Sequence, residues 1–238
     1  MNTAVLFDLD GVIIDSRAAI REALHTITFR VFGRDIQPHL LDAQVGVPPV
    51  QALCQLGVPD PEDAYERMFD AALLDAAHHI RVIPAVVAGI TALAQSGVKI
   101  GIVTTQARRR LYFLVPPVVG MVASVVIAWE DAEPKPAPDG ITLACSRLGV
   151  AAQSALFVGD TVTDLAAGRA AGVKTVSVAW GFTDSDVWRG QAQRSCSTIH
   201  GRSGQSYSSS CRTLRPEHPS PDAATTVRAP LPGCGPLS

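Results

Sequence analysis

Five short runs, at 4–9, 98–104, 122–128, 155–159 and 174–179, are apolar and β-branched almost without interruption. A strand with one wet face alternates apolar and polar residues, so continuous runs predict parallel strands covered on both faces. Between them the hydrophobic period lengthens to that of helices. Pro84 opens a pattern that reaches Gln95 with Gly97 as its stop, 138–148 ends at Gly149, and 162–171 ends at Gly172. Proline in the first turn and glycine just past the last are helix boundaries. Strand alternating with helix predicts an α/β fold, a parallel Rossmann-like sheet flanked by helices.

Three segments break that alternation. Residues 16–80 carry helical patterns at 17–32, 49–56 and 61–79, separated by turns at Gly33, 46–49 and 57–61, and contain no strand pattern. They predict a helical cap subdomain inserted into a core made of 1–15 and 81–189. From Gly190 onward the chain holds 9 Ser, 6 Pro and 5 Gly but only five residues from the set Ile, Leu, Val, Phe and Met, so 190–238 is read as a disordered or frame-shifted tail, the change falling near Val187. Residues 111–129 contain no charge, roughly the span of a membrane helix. Pro116, Pro117 and Gly120 interrupt them, and the expected reading is a helix end, a Pro-Pro turn and the buried strand 122–128.

Composition narrows the possibilities. The 238 residues are 47% hydrophobic with a mean hydropathy of +0.21, enough for a sizeable core. Twenty basic residues against 22 acidic ones give a net charge of -2, which supplies no field to hold a nucleic acid. The first residues, Met-Asn-Thr-Ala-Val-Leu-Phe-Asp, have no basic stretch of the secretory kind, so the expected location is cytoplasmic. Five cysteines without a CxxC argue for free thiols, with Cys54 and Cys145 packed inside amphipathic patterns.

The chemistry gathers at strand ends, where open α/β sheets bind ligands. The first strand runs into Asp8-Leu9-Asp10-Gly11, the second into Thr104-Thr105, and the fourth into Gly159-Asp160-Thr161-Val162-Thr163-Asp164. Lys135 lies among prolines between the third and fourth strands and is one of only three lysines in the chain. Carboxylates crowded into a cleft repel one another unless a proton or cation intervenes, which makes Mg²⁺ the natural third party. Arg108, Arg109 and Arg110 are read as a solvated helix face, and His78 and His79 as helix C-terminal residues.

Taken in order, these four motifs resemble those of the haloacid dehalogenase superfamily, in particular its phosphoglycolate phosphatase-like branch with a helical cap; the resemblance covers about residues 3–183. It implies a phosphoric monoester hydrolase with Asp8 as nucleophile, forming an aspartyl-phosphate, and Asp10 as general acid and then base. It implies Mg²⁺ held by Asp8, the main-chain carbonyl of Asp10, Asp160 and Asp164, with Asp164 ligating directly or from behind. Thr104, Thr105 and Lys135 would bind the phosphoryl group, and Gln44 of the cap loop would meet the leaving group. The partner implied is a small phosphorylated metabolite, with no nucleic acid or membrane, and the chain is a monomer or homodimer.

Departures sort the relatives. Asp10 is present, which favours phosphoryl chemistry over dehalogenation, and 16–80 contain no lysine for a Schiff base. Ile20 stands where sugar phosphate mutases of the family carry a hinge histidine, and the loop Gln44-Val45-Gly46-Val47-Pro48 lacks their arginine. The expectation is hydrolysis of a sugar- or cyclitol-phosphate-like monoester. The alternatives are a phosphoglycolate phosphatase, a sugar phosphate mutase, or an inactive member with an incomplete fold.

Overall fold

The first strand is buried at every position, and its alternate side chains enter two different cores. Ala4 and Leu6 pack with Ile141, Ala144, Leu148 and Ala167, whereas Val5 and Phe7 join Ile90, Leu114 and Val119. Both faces are therefore covered, which is why the run has no polar alternation.

In the computed structural model, which describes residues 3–183, the strands are β1 (Ala4–Phe7), β2 (Ile14–Asp15), β3 (Arg81–Val82), β4 (Lys99–Val103), β5 (Ala123–Ile127), β6 (Ala155–Gly159) and β7 (Lys174–Ser177). The helices are α1 (Arg17–Phe32), α2 (Pro38–Asp42), α3 (Pro49–Gln55), α4 (Pro61–Ala64), α5 (Asp70–Asp75), α6 (Pro84–Gln95), α7 (Leu111–Leu114), α8 (Pro117–Val122), α9 (Asp139–Leu148) and α10 (Val162–Ala170). Five strands form one sheet of order β5-β4-β1-β6-β7, and every pairing in it is parallel. The expected α/β fold, a parallel Rossmann-like sheet between two helical layers, is borne out: α6, α7 and α8 cover one face, α9 and α10 the other.

The chain builds outward from β1 through β4 to β5, then returns to the other side of β1 for β6 and β7. The direction reverses between β1 and β6, and the carboxyl ends of those two strands open a crevice that no crossover helix fills.

Helices α1 to α5 bury an apolar cluster of their own, with Ala23, Leu24, Ile27, Leu53, Phe69 and Leu73 at its centre. The two passages between this helical segment and the sheet are tied together by β2 and β3, an antiparallel pair with Ile14 opposite Val82 and Asp15 opposite Arg81. No strand was expected there, because two-residue strands are too short to leave a periodic signal.

Other expectations need correction. Residues 61–79 do not form one helix but α4, a π-helical turn at Tyr65–Phe69, α5 and a 3₁₀ turn at Ala77–His79. The second proline of the uncharged stretch does not sit in a turn; Pro117 is the first residue of α8, where its missing N–H costs nothing. No helix among the described residues is long and apolar enough to cross a membrane. Strand β7, expected to be covered on both faces, is exposed or half-buried along its length. Cys145 is buried, but Cys54 is exposed rather than packed. The residues read as a tail, and with them Cys196, Cys211 and Cys234, lie outside the described residues.

Candidate active site

Asp8 is the first residue beyond β1, and its N–H donates to the carbonyl of Val158 on β6 at 2.8 Å, which fixes it at the crevice. The chain then turns sharply, with the N–H groups of Ile13 and Ile14 both reaching Leu9 O. Gly11 makes the turn possible with φ +74°, and a Cβ there would lie 2.0 Å from Asp160 Oδ2. The turn sends the two acids to different partners. Asp8 faces Lys135, while Asp10 accepts from Ser16 Oγ and from Gln106 Nε2 at 2.9 Å.

Three carboxylates converge. Oxygens of Asp8, Asp160 and Asp164 lie within 4.8 Å of one another, and all three residues are buried. Lys135 Nζ stands 2.9 Å from Asp8 Oδ1 and 2.5 Å from Asp164 Oδ1. Asp164 is in the first turn of α10, where its Oδ2 accepts from the N–H of Asp160 at 3.1 Å, the N–H of Thr161 at 2.9 Å and the Thr161 hydroxyl at 2.6 Å. It caps the helix and lines the site at once. A Cβ on Gly159 would come within 2.4 Å of Asp164 Cβ, so glycine lets the helix start this close to β6. Asp160 Oδ2 accepts from the N–H of Phe182 at 2.6 Å, while its buried Oδ1 has no hydrogen-bond partner.

Burial pushes the Asp8 carboxyl well above the ordinary carboxylate range, with Lys135 acting against it and Asp164 and Asp160 adding to it. Burial likewise raises Asp160 to about 7 and lifts Asp10. For Asp164 burial acts in the same sense, but Lys135 and Thr161 outweigh it and hold the carboxyl below its usual value. Burial also opposes the Lys135 ammonium, yet Asp8 and Asp164 keep it charged well above the ordinary lysine range. Were all three carboxylates ionised, one ammonium would leave two negative charges in a closed space, which is the repulsion that helps raise Asp8 and Asp160. An all-oxygen donor set with an orphaned carboxylate oxygen fits a hard divalent cation, which would supply the missing charge and the missing partner.

The remaining candidates fall at different distances from this centre. Thr104, just past β4, is buried, and its hydroxyl oxygen accepts from the N–H of Gln106 at 3.1 Å, which leaves the hydroxyl proton to give. Thr105 is exposed. Gln44 of the cap is buried with Oε1 unpartnered. Two residues on, Gly46 packs so near Phe182 that a Cβ would lie 3.3 Å from its ring, so the cap loop rests on the segment that holds Asp160.

Sequence reasoning missed Ser16, Gln106 and Phe182, whose contacts depend on turns and carry no motif. It also misjudged Arg110, whereas Arg108 and Arg109 are exposed as expected. Arg110 is 3% exposed, and its guanidinium spends each nitrogen inside the protein: Nε on Asp70 Oδ1 at 2.6 Å, Nη1 on Gln106 Oε1 at 3.1 Å and Nη2 on the Tyr65 hydroxyl at 2.8 Å. Arg109 also pairs with Asp70, and Arg108 with Asp131. A run of three basic residues gives no sign that one will turn inward. His78 does sit at a helix end, its Nδ1 2.9 Å from Asp75 O.

The parallel sheet, the inserted helical segment and the acids at the switch point define an α/β protein with a buried acidic site at the carboxyl ends of its strands. Residues 5–178 match the family model of the haloacid dehalogenase-like hydrolases, and the chain belongs to that family. It is 32% identical over 183 residues to pyrophosphatase PpaX of Bacillus velezensis, covering 75% of this chain and 83% of that one. It is 30% identical over 209 residues to a phosphoglycolate phosphatase of Rhodospirillum rubrum, covering 79% and 83%. A haloacid dehalogenase-like family hydrolase from Streptococcus pneumoniae shares the fold with a TM-score of 0.65 at 21% identity, covering 78% of this chain and 88% of that one.

Proposed function

We propose that the protein is a Mg²⁺-dependent phosphatase that hydrolyses a small phosphomonoester through an aspartyl-phosphate on Asp8. The observation that carries this reading is the closed group of Asp8, Asp160, Asp164 and Lys135 at the sheet's switch point. Phosphoryl transfer asks a protein chiefly to position the reactants and balance their charge, and this group supplies both. Asp8, Asp160, Asp164 and the carbonyl of Asp10 would hold Mg²⁺, which when bound neutralises charge on the phosphoryl oxygens.

Each step belongs to a residue of this chain. A carboxylate oxygen of Asp8 attacks phosphorus, and the bond from phosphorus to the leaving oxygen breaks. Asp10 gives that oxygen a proton, which its raised pKa suits it to carry. Water then attacks phosphorus, passes a proton back to Asp10, and the bond to Asp8 breaks. Lys135 offsets the charge between Asp8 and the phosphoryl group, while the Thr104 hydroxyl and the exposed Thr105 bind its oxygens.

The cap loop Gln44-Val45-Gly46-Val47-Pro48 has no charged residue, and the nitrogens of Arg110 are already committed within the protein. A carboxylate or second phosphate on the leaving group would find no buried cation there, so the favoured substrate is a sugar- or cyclitol-phosphate-like monoester, with Gln44 meeting its hydroxyls. The relatives named pyrophosphatase and phosphoglycolate phosphatase support a second reading, in which the leaving group is anionic. A panel containing sugar phosphates, inositol phosphate, phosphoglycolate and pyrophosphate, assayed with Mg²⁺ and with chelator, separates the two. The favoured reading predicts chelator-sensitive release of phosphate, fastest from a neutral leaving group. No release from any member of the panel would exclude a phosphatase.

A further inference from the structure

Between the cap and Asp10 lies a continuous chain of polar contacts that the phosphatase reading does not use. Asp70 and Tyr65 belong to the cap, and both hold the guanidinium of Arg110. Arg110 donates to Gln106 Oε1, and Gln106 Nε2 donates to Asp10 Oδ2 at 2.9 Å. A guanidinium can only donate, so Arg110 holds the amide oxygen of Gln106 toward itself and leaves the amide N–H for Asp10. The rings of Tyr65 and Phe69 both pack against the guanidinium, with centroids 5.1 and 4.9 Å from its carbon. The π-helical turn at Tyr65–Phe69 explains how the cap presents these groups together. In a regular helix Tyr65 and Asp70, five residues apart, would point about 140° from each other, whereas the wider turn brings both to Arg110.

We propose that Arg110 and Gln106 are positioning residues that couple seating of the cap to placement of the Asp10 carboxyl. With the cap seated, Asp70 and Tyr65 fix Arg110, Arg110 fixes the Gln106 amide, and Gln106 together with Ser16 fixes Asp10. With the cap displaced, Arg110 loses both of its cap partners and the amide loses its restraint. Proton delivery to the leaving group is then efficient only over an enclosed substrate. The inference rests on the reading of Asp10 as proton donor, and its test separates the two ideas.

The test compares kcat/KM on p-nitrophenyl phosphate, whose leaving anion needs no proton, with kcat/KM on the alkyl phosphomonoester that the wild-type chain turns over fastest. Gln106→Leu is expected to lower the alkyl value at least tenfold more than the aryl value. Asp70→Asn, at a partly exposed site, is expected to move the same ratio two- to fivefold and to add nothing in the Gln106→Leu background, because its effect travels through the amide. Gln106→Asn, which keeps the amide but cannot span the gap, should match Gln106→Leu and serves if the leucine variant does not fold. Equal losses on both substrates, or an Asp70→Asn effect that persists without Gln106, would overturn the coupling. If Asp10→Asn leaves the ratio unchanged, the proton-donor reading itself fails; if Asp10→Asn shifts it and the Gln106 variants do not, only the coupling fails.

Discussion

The Lys135 ammonium lies 2.9 Å from Asp8 Oδ1, with the lysine side chain 8% exposed and the aspartate 10%. Neither charge has much access to water, and Lys135 also contacts Asp164. The lysine is therefore part of what lets three acids share one enclosed space.

Lys135→Met is expected to lower the free energy of unfolding by about 3 kcal/mol without added metal, because it leaves buried carboxylates uncompensated. The deficit should shrink in saturating Mg²⁺, which restores the charge balance, while turnover falls about a hundredfold or more. Urea titrations with and without Mg²⁺ check this. Equal destabilisation in both would mean that Lys135 and the cation site are independent.

Mg²⁺ should raise the Tm of the wild-type chain by mass action, with about 2.7 kcal/mol gained at a hundredfold excess over Kd. Asp160→Asn removes the charge beside the orphaned oxygen and should abolish most of that shift. Asp139→Asn, at the exposed first residue of α9, should leave it intact. Thermal melts across a Mg²⁺ series decide between them.

Gly11→Ala combines a positive φ with a methyl group 2.0 Å from Asp160 Oδ2. The backbone strain alone costs about 1–3 kcal/mol, and the contact must displace Asp160. Loss of stability by urea denaturation should be accompanied by loss of the Mg²⁺-induced Tm shift. A stable variant with a normal shift would show that the turn can relax away from the site.

The sheet was legible because each core strand is a continuous apolar run, and the acids were legible because they follow those runs directly. Asp8 and Asp160 stand where open sheets bind ligands, at strand ends, and their expected roles came from the resemblance of the four motifs taken in order. Arg110, Gln106 and Phe182 were not legible, since their contacts span 40, 96 and 22 residues. The π-helical turn was hidden for another reason. Residues 61–79 keep a helical hydrophobic pattern throughout, and one extra residue in a turn changes which side chains align without breaking that pattern.

His25 on α1 lies 2.9 Å from Asp35 and 3.5 Å from Glu22. Hydrogen bonding to Asp35 raises its pKa, with burial acting against the shift and Glu22 adding to it. A raised histidine stabilises the folded chain fully below its unfolded value of about 6.5 and loses that contribution as pH rises through the folded value. His25→Gln should therefore cost no more than about 0.2–1 kcal/mol, visible below pH 6, weakened by salt and absent by pH 9. Thermal melts over that pH range would show the sign directly, and a cost that grew with pH would refute it.

Asp8 is the proposed nucleophile, and the most direct test of that role is turnover by Asp8→Asn with Mg²⁺ and the best phosphomonoester of the panel. The substitution is isosteric and keeps an oxygen at the crevice, so the chain should remain folded. Loss of the covalent step should lower kcat by about a thousandfold or more. Retention of more than about a tenth of the wild-type rate would contradict the mechanism.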